Sequence, residues 1–265
     1  MHIPYQQIAS QLNLKQDDIL LVSSDISKFS FNEMTHGEKF DLSLFIDSFK
    51  DVLTNGTLLF PSFTDYLKSG DTFDILDTAP TTGTLSSVAY KRNDFKRTRD
   101  PLHSFMVWGK QATELSAINN RSTFGHDSVF GFLHRNKALM LMVDIDLQHS
   151  FTFVHYVEEQ KKVNYRKFNK LNINFIDEQK LSTKKEIEVY TKKLGISNSL
   201  NLLQQKFIDN GAMTVQNING SKFMLLKLDE AYTIIEVEIN GNKGKSLYRF
   251  SLWQFLKSFI KQLIT

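Results

Sequence analysis

Among the seven histidines of this 265-residue chain, one has neighbours that could do chemistry. In Thr152-Phe153-Val154-His155-Tyr156-Val157-Glu158-Glu159, a hydroxyl and a carboxylate lie three residues either side of an imidazole. Residues three apart are adjacent on a helix, so Thr152, His155 and Glu158 would form one polar stripe over an apolar body of Phe153, Val154 and Val157. A carboxylate bonded to one ring nitrogen fixes the tautomer and makes the other nitrogen more basic, as a general base requires. The same spacing also fits a surface helix capped by Thr152, with His155 and Glu158 in an ordinary exposed contact. A zinc site on His149, His155 and Glu158 is a poorer reading, because no HExxH-type spacing is present.

Three other polar concentrations could meet a ligand. Lys91 to Ser104 (KRNDFKRTRDPLHS) has five basic residues among two acidic ones. It could hold a phosphate by charge-assisted bonds, or be a solvated loop. Ser23-Ser24-Asp25 ends an apolar run, and open α/β sheets bind ligands at the carboxyl ends of their strands. A helix cap explains that turn equally well. In Thr81-Thr82-Gly83-Thr84, one glycine among small hydroxyl residues could let a ligand come close to the backbone. No P-loop or GxGxxG device is present. The absence of cysteine excludes disulfides, thiolate metal sites and thiol nucleophiles. A net charge of +3 is too mild to argue for nucleic acid, but it is compatible with small anionic ligands. No uncharged apolar run approaches the roughly 18–20 residues a membrane helix needs, so no membrane insertion is expected. The N-terminus shows no basic stretch followed by an apolar core, which predicts a cytoplasmic protein.

The elements that must position these groups read as an α/β domain. Pro4 to Leu12 is expected as a short helix, Asp18 to Ser23 as a buried strand, and Asp41 to Leu53 as a helix burying Leu44, Phe45, Phe49, Val52 and Leu53. Thr57 to Phe60, His103 to Trp108 and Ala138 to Val143 are further apolar strands. Lys110 to Ile118, Ser128 to His134 and Phe151 to Lys162 read as helices between and after them. Strands without alternation, separated by helices, predict a largely parallel, buried central sheet flanked by helices. Beyond Lys167 the pattern loosens: Ser197 to Ile208 as helix, Lys222 to Lys227 and Ile234 to Ile239 as strands, and Tyr248 to Ile264 as an amphipathic helix that could join copies of the chain into a homo-oligomer. With no linker or repeat, residues 1–265 are expected to form a single domain with an elaborated C-terminal third.

Taken in order, these segments resemble the aminoglycoside 3-N-acetyltransferase family. The resemblance runs from about Asp18 to about Gly241. It rests on Gly56-Thr57-Leu58-Leu59-Phe60-Pro61-Ser62-Phe63; on Phe73-Asp74, Pro80 and Gly83; and on Arg97-Thr98-Arg99-Asp100-Pro101-Leu102-His103-Ser104-Phe105 through Gly109. It continues with Gly125, Ser128 and Phe130, then Thr152, His155 and Glu158, and closes on Val163, Tyr165 and Arg166. The chain departs from the family pattern at Ser23 and Asp100, where histidines are usual, and at Met142, where a glycine is usual. Those departures resemble the branch that acylates amino-deoxysugars for surface polysaccharides.

The resemblance implies an acyl-CoA-dependent N-acyltransferase of that family's fold, using acetyl-CoA or another short acyl-CoA and no metal. It implies His155 as general base, Glu158 orienting it and Thr152 donating toward the developing oxyanion. It implies contacts to the coenzyme from Ser23, Ser24, Asp25, Thr82, Gly83, Thr84, Arg97 and Ser104, and to the acceptor from Tyr66, Asp74, His103 and Glu159. The acceptor expected is a nucleotide-linked amino sugar, such as a 4-amino-4,6-dideoxy sugar for O-antigen or capsule. An anionic acceptor suits a slightly positive chain better than a polycationic aminoglycoside does. An aminoglycoside resistance enzyme is the alternative, and a homologue that binds without turnover is a second one.

Overall fold

The computed structural model describes residues 2–37 and 39–264, with side chains of the last helix at 252–257 and 259. Two 3-10 turns, Tyr5–Gln7 and Ala9–Gln11, stand where the sequence predicts one short helix. The first half then runs β1 (Ile19–Ser24), α1 (Ser27–Thr35), α2 (Leu42–Val52), β2 (Thr57–Pro61), β3 (Thr72–Asp74), α3 (Thr84–Tyr90), β4 (Lys96–Arg97), β5 (Phe105–Gly109) and α4 (Ala112–Ala117). It continues with α5 (Val129–Arg135), β6 (Leu139–Val143), α6 (Leu147–Ser150), α7 (Phe153–Gln160), β7 (Arg166–Ile176) and β8 (Ser182–Lys192). The last part comprises β9 (Ile196–Asn198), α8 (Asn201–Asp209), β10 (Met213–Ile218), β11 (Ser221–Lys227), α9 (Leu228–Asn242), β12 (Tyr248–Phe250) and α10 (Leu252–Ile264).

The central sheet has seven strands in the order β10-β11-β6-β1-β2-β5-β4. Only β6, β1 and β2 are parallel; the flanking strands pair antiparallel, so the sheet is mixed. An unalternating apolar run reports burial on both faces and not strand direction, so the sequence overstates the parallel part. Within each strand successive side chains go to opposite faces. Ile19 and Leu21 join Met140 and Met142 in a core covered by α5, α7, α8 and α9. Leu20 and Val22 join Leu141 and Val143 in a second core covered by α1, α2 and α3. α2 is held at its start by Asp41, whose carboxylate accepts from the backbone N–H of Ser43 (2.8 Å) and Leu44 (3.0 Å), a cap worth about 1 kcal/mol. Its buried face is Phe45, Ile46, Phe49 and Leu53; Leu44 is half exposed and Val52 half buried, so the apolar face is turned toward Ile46 from the one expected.

The C-terminal third departs most from the sequence reading. Ile234 to Ile239 lies inside helix α9 and is not a strand, and Tyr248 opens β12, so the last helix begins only at Leu252. β7 and β8 form a long antiparallel hairpin that β3 joins in parallel, over a small core of Leu67, Phe73, Ile75, Leu102, Ile173, Phe175 and Ile187. The chain leaves β1 to build β2 on one side and β6 on the other. That makes the carboxyl end of β1 a topological switch point, where a crevice opens.

Candidate active site

At that crevice lies a cavity of about 350 Å³. Ser23 and Ser24 enter it from the end of β1, and Pro61, Phe63 and Asp65 from the end of β2 and the loop beyond. Thr82, Gly83 and Ser86 come from the start of α3, and His103 from the turn before β5. Ile145, His149, Ser150, Thr152 and His155 close it from the segment between β6 and α7. Other cavities are larger: about 470 Å³ beside Arg92 and Arg97, and about 790 Å³ at the amino end of β1. Neither brings an imidazole and a carboxylate together, so the chemistry selects the cavity at the switch point.

His155 sits one turn into α7 with its Nδ1 2.8 Å from Glu158 Oε2. Glu158 is 1% exposed, so this is not the ordinary surface contact the spacing left open. Its Oε1 accepts from the Tyr165 hydroxyl at 2.9 Å. Arg166 Nε lies 2.6 Å from Oε2 but off the N–H direction, so this is a charge contact and not a hydrogen bond. Arg166 is itself tied to the Tyr190 carbonyl (3.0 Å) and to Asn198 Oδ1 (3.1 Å).

Three neighbours bear on the ring's tautomer: Glu158, Asn198 and Arg166, whose Nη2 lies 2.8 Å from Nδ1 and 3.4 Å from Nε2. A carboxylate can only accept, so the nitrogen facing Glu158 carries the proton. A guanidinium can only donate, so Asn198 turns its oxygen to Arg166 and its amide nitrogen to His155 Nε2, at 3.4 Å. Nδ1 cannot both donate to Glu158 and accept from Arg166; with its proton directed at the carboxylate, Nε2 is the lone-pair nitrogen and the Arg166 contact is one of charge. Burial and the Arg166 charge hold the imidazole below its ordinary pKa, against the pull of the Glu158 carboxylate, so the ring is neutral at pH 7 and can accept a proton. Burial alone would raise the Glu158 carboxyl, but the hydrogen bond from His155 and the charges of His155 and Arg166 hold it low. Phe124 packs edge-on against His155, with ring centroids 5.5 Å apart.

Thr152 precedes α7 and makes no side-chain capping bond, which leaves its hydroxyl for the cavity it lines. Thr82 is fixed to the end of β2, donating to the Pro61 carbonyl (2.7 Å) and accepting from the Phe63 N–H (3.1 Å). Gly83 starts α3 at φ +51°, which a side chain would strain. His103 packs against Phe63 and Phe124, and burial pushes its imidazole down to about 4. Asp100, standing where the family has histidine, accepts from the backbone N–H groups of Leu102 (2.9 Å) and His103 (2.8 Å) and from the Asn120 amide. That departure therefore builds the turn that presents His103.

The structure thus brings together Ser23, Ser24, Thr82, Gly83, His103, Thr152 and His155, with Glu158 behind them. The other expected contacts lie outside the cavity lining. Arg97 is buried, donating to Ser104 Oγ (2.9 Å) and to the carbonyls of Ser62 (2.9 Å) and Thr78; its guanidinium lies over the rings of Phe73 and Tyr90. Ser104 donates to the Ser62 carbonyl at 2.6 Å. This pair braces the sheet edge and offers nothing free to a phosphate here. Asp25 bonds the Ser27 N–H, Thr84 is exposed on α3, and Tyr66 is exposed on its loop. Asp74 caps its own turn and pairs with Lys180. Glu159 is buried, and both its oxygens accept from Ser122 Oγ, at 2.7 and 2.8 Å.

Sequence reasoning gave no site role to Asp65, Tyr165, Arg166 or Asn198. Tyr165 and Arg166 follow the helix closely enough to have been weighed with it. Asn198 lies 43 residues beyond His155, and only the pairing of β9 with β12 brings it there.

The model of the aminoglycoside 3-N-acetyltransferase family matches residues 21–238. None of the curated proteins matches the chain in sequence. Among solved structures the fold is similar to the YokD protein from Bacillus subtilis, with a TM-score of 0.75 and 21% identity over 92% of this chain and 96% of that one. It is similar to AAC-IIIb solved as a binary complex with CoASH (TM-score 0.76, 14% identity, 91% and 97% covered). It is also similar to an AAC(3)-IVa variant in complex with apramycin (TM-score 0.71, 16% identity, 91% and 93% covered). At these identities the neighbours carry the fold alone. The family match spans most of the chain, from inside β1 to inside α9, and encloses every residue of the imidazole–carboxylate pocket, so the chain belongs to the aminoglycoside 3-N-acetyltransferase family.

Proposed function

We propose that the protein is a coenzyme A-dependent N-acyltransferase that places an acetyl or other short acyl group on the amine of a nucleotide-linked amino-deoxysugar, such as a 4-amino-4,6-dideoxy sugar for surface polysaccharide. The observation that supports the reaction class is the pairing of His155 Nδ1 with the buried Glu158 carboxylate at the wall of a cavity rich in hydroxyl groups. An amine near neutral pH is largely protonated, and it must lose a proton to attack a thioester. In this reading the protonated amine first gives one proton to solvent; the free amine nitrogen then bonds to the thioester carbonyl carbon, and Nε2 of His155 takes one of its two remaining protons. The C–S bond then breaks, and the departing thiolate takes that proton from the imidazolium. Glu158 stabilises the imidazolium between the two transfers, and Thr152 donates to the carbonyl oxygen as its charge develops.

The chain has no cysteine to carry an acyl group, which favours direct attack with both substrates bound. Ser23, Ser24, Thr82 and Gly83 are suited to the acylated end of the coenzyme, and His103 to the acceptor. The chain works as one acyltransferase unit, and substrates of this kind place it in the cytoplasm.

Charge supports the acceptor class. An aminoglycoside carries several ammonium groups and calls for several carboxylates. Asp65 is the one carboxylate among the residues lining the cavity, which suits an acceptor with one amine. The AAC(3)-IVa complex with apramycin favours the other reading, an aminoglycoside acceptor. Thiol release from acetyl-CoA, measured with a nucleotide-linked 4-amino-4,6-dideoxyhexose and with kanamycin, separates them. Turnover on the nucleotide sugar with a KM raised about tenfold by Asp65→Asn is expected, and turnover on kanamycin alone overturns the acceptor assignment.

A further inference from the structure

Helix α10 carries large apolar side chains that stand about half or more exposed among the described residues. Leu252, Trp253, Leu256 and Phe259 are 62%, 69%, 48% and 46% exposed, and Phe250 just before them is 59% exposed. Scattered exposed apolar residues are ordinary, but five within ten residues make a patch that marks an interaction surface. The spacing of 252, 256 and 259, with 253 alongside, gathers them on one side of the helix.

The charge around this patch is of one sign. From Lys243 to the last residue the sequence holds five cations (Lys243, Lys245, Arg249, Lys257 and Lys261) and no carboxylate side chain. Lys192 and Lys193 line a groove with Trp253 and Lys257, and no acidic residue lines it. The Lys257 ammonium lies 5.1 Å from the Trp253 ring.

These features discriminate between occupants. A second copy docked on this face by a two-fold axis would set the same cations against each other, with no carboxylate to answer them. Protein partners also select against lysine at interface centres. An anionic lipid surface satisfies both halves: the acyl boundary takes the indole and aliphatic groups, and the headgroups take the ammonium groups. Among the described residues no helix is long and apolar enough to cross a bilayer.

We propose that α10 is an interfacial helix that docks the protein on an anionic membrane surface. The expected homo-oligomer is not needed to explain its apolar face. The helix is tied to the body by Ser251, whose N–H donates to the Gly195 carbonyl at 2.9 Å, and by the pairing of β12 with β9. β9 carries Asn198, so docking would leave the catalytic crevice in a fixed orientation to the lipid. This inference does not depend on the acceptor proposed above.

The test is flotation of the full chain with vesicles of equal parts phosphatidylglycerol and phosphatidylcholine, and with phosphatidylcholine alone. Binding about tenfold or more stronger to the anionic vesicles is expected, with a blue shift of tryptophan emission and loss on adding salt. Trp253→Ser with Leu256→Ser should abolish flotation, and Lys257→Glu should weaken it about fivefold or more. A melting curve checks that both variants fold, and thiol release without vesicles should equal that of the parent. Absence of flotation, or equal flotation on both vesicles, overturns the proposal. A dimer in gel filtration that the same substitutions dissociate also overturns it.

Discussion

Replacing Glu158 by glutamine keeps the side chain's shape and removes one buried charge. Two consequences can be worked from the geometry. When His155 takes up a proton, the imidazolium and the Glu158 carboxylate form an ion pair across a 2.8 Å contact. With charge centres about 4 Å apart and an effective dielectric near 20, that pair is worth about 4 kcal/mol. Its loss lowers kcat about 10³-fold. The Arg166 guanidinium also loses its counter-charge in a site where it is itself buried, so the fold loses about 3–5 kcal/mol.

Glu158 is absent from the cavity lining, so KM for the acyl donor should hold. The pH profile adds a sign. Glu158 opposes the downward push of burial and Arg166 on the His155 pKa. Removing it drops the ring further, and the acidic limb of kcat moves to lower pH. Thiol release measured across pH, with melting curves alongside, reads all of this. A fall in kcat below tenfold, or an acidic limb that moves up, refutes the role given to Glu158. Repeating the substitution in a His155→Gln background should cost little further, because the carboxylate acts through the ring.

Two further outcomes bear on residues that lie outside the cavity. Burial, with the charges of Glu188 and Asp127, raises the Glu159 carboxyl from 4.5 to about 7. The folded state therefore holds a proton that the unfolded chain releases from about pH 4.5. Stability falls as pH rises from there to about 7 and then levels, by about 3 kcal/mol in all. Glu159→Gln should melt like the parent at pH 5 and well above it at pH 8; equal melting at both refutes the burial argument. Arg97→Lys cannot reproduce three bonds in a fixed plane, so it should lower stability by about 3 kcal/mol and leave KM for the acyl donor unchanged. A raised KM at unchanged melting temperature would restore Arg97 as a coenzyme contact.

The parts of this molecule that were readable in the sequence are local or strongly buried. β1, β2 and β6 are apolar on both faces and announce themselves as core strands. His155 and Glu158 are readable because a helix converts a spacing of three into contact. The misreadings have physical causes. Ile235, Val237 and Ile239 alternate with Glu236 and Glu238 like a strand, yet in α9 Ala231, Ile235 and Ile239 form the buried stripe and Val237 is 63% exposed. The β7–β8 hairpin carries lysines on both strands and glutamates on β8, and its apolar alternation is confined to Leu171, Ile173 and Phe175 on one strand and Ile187 and Val189 on the other, too short a stretch to stand out. β10 was missed although Asn219-Gly220, both at positive φ between Ile218 and Ser221, is the usual signature of a tight hairpin turn. The opposite wall of the cavity, with Phe63 and His103, comes from segments far from α7 that only the sheet order brings near.

The central claim is that Nε2 of His155 removes the proton from the incoming amine. The most direct measurement is turnover of His155→Ala with and without free imidazole, with donor binding followed separately. Turnover should fall about 10²–10⁴-fold at unchanged donor affinity and recover in part when imidazole enters the space left by the ring. A variant that keeps turnover within tenfold of the parent contradicts it.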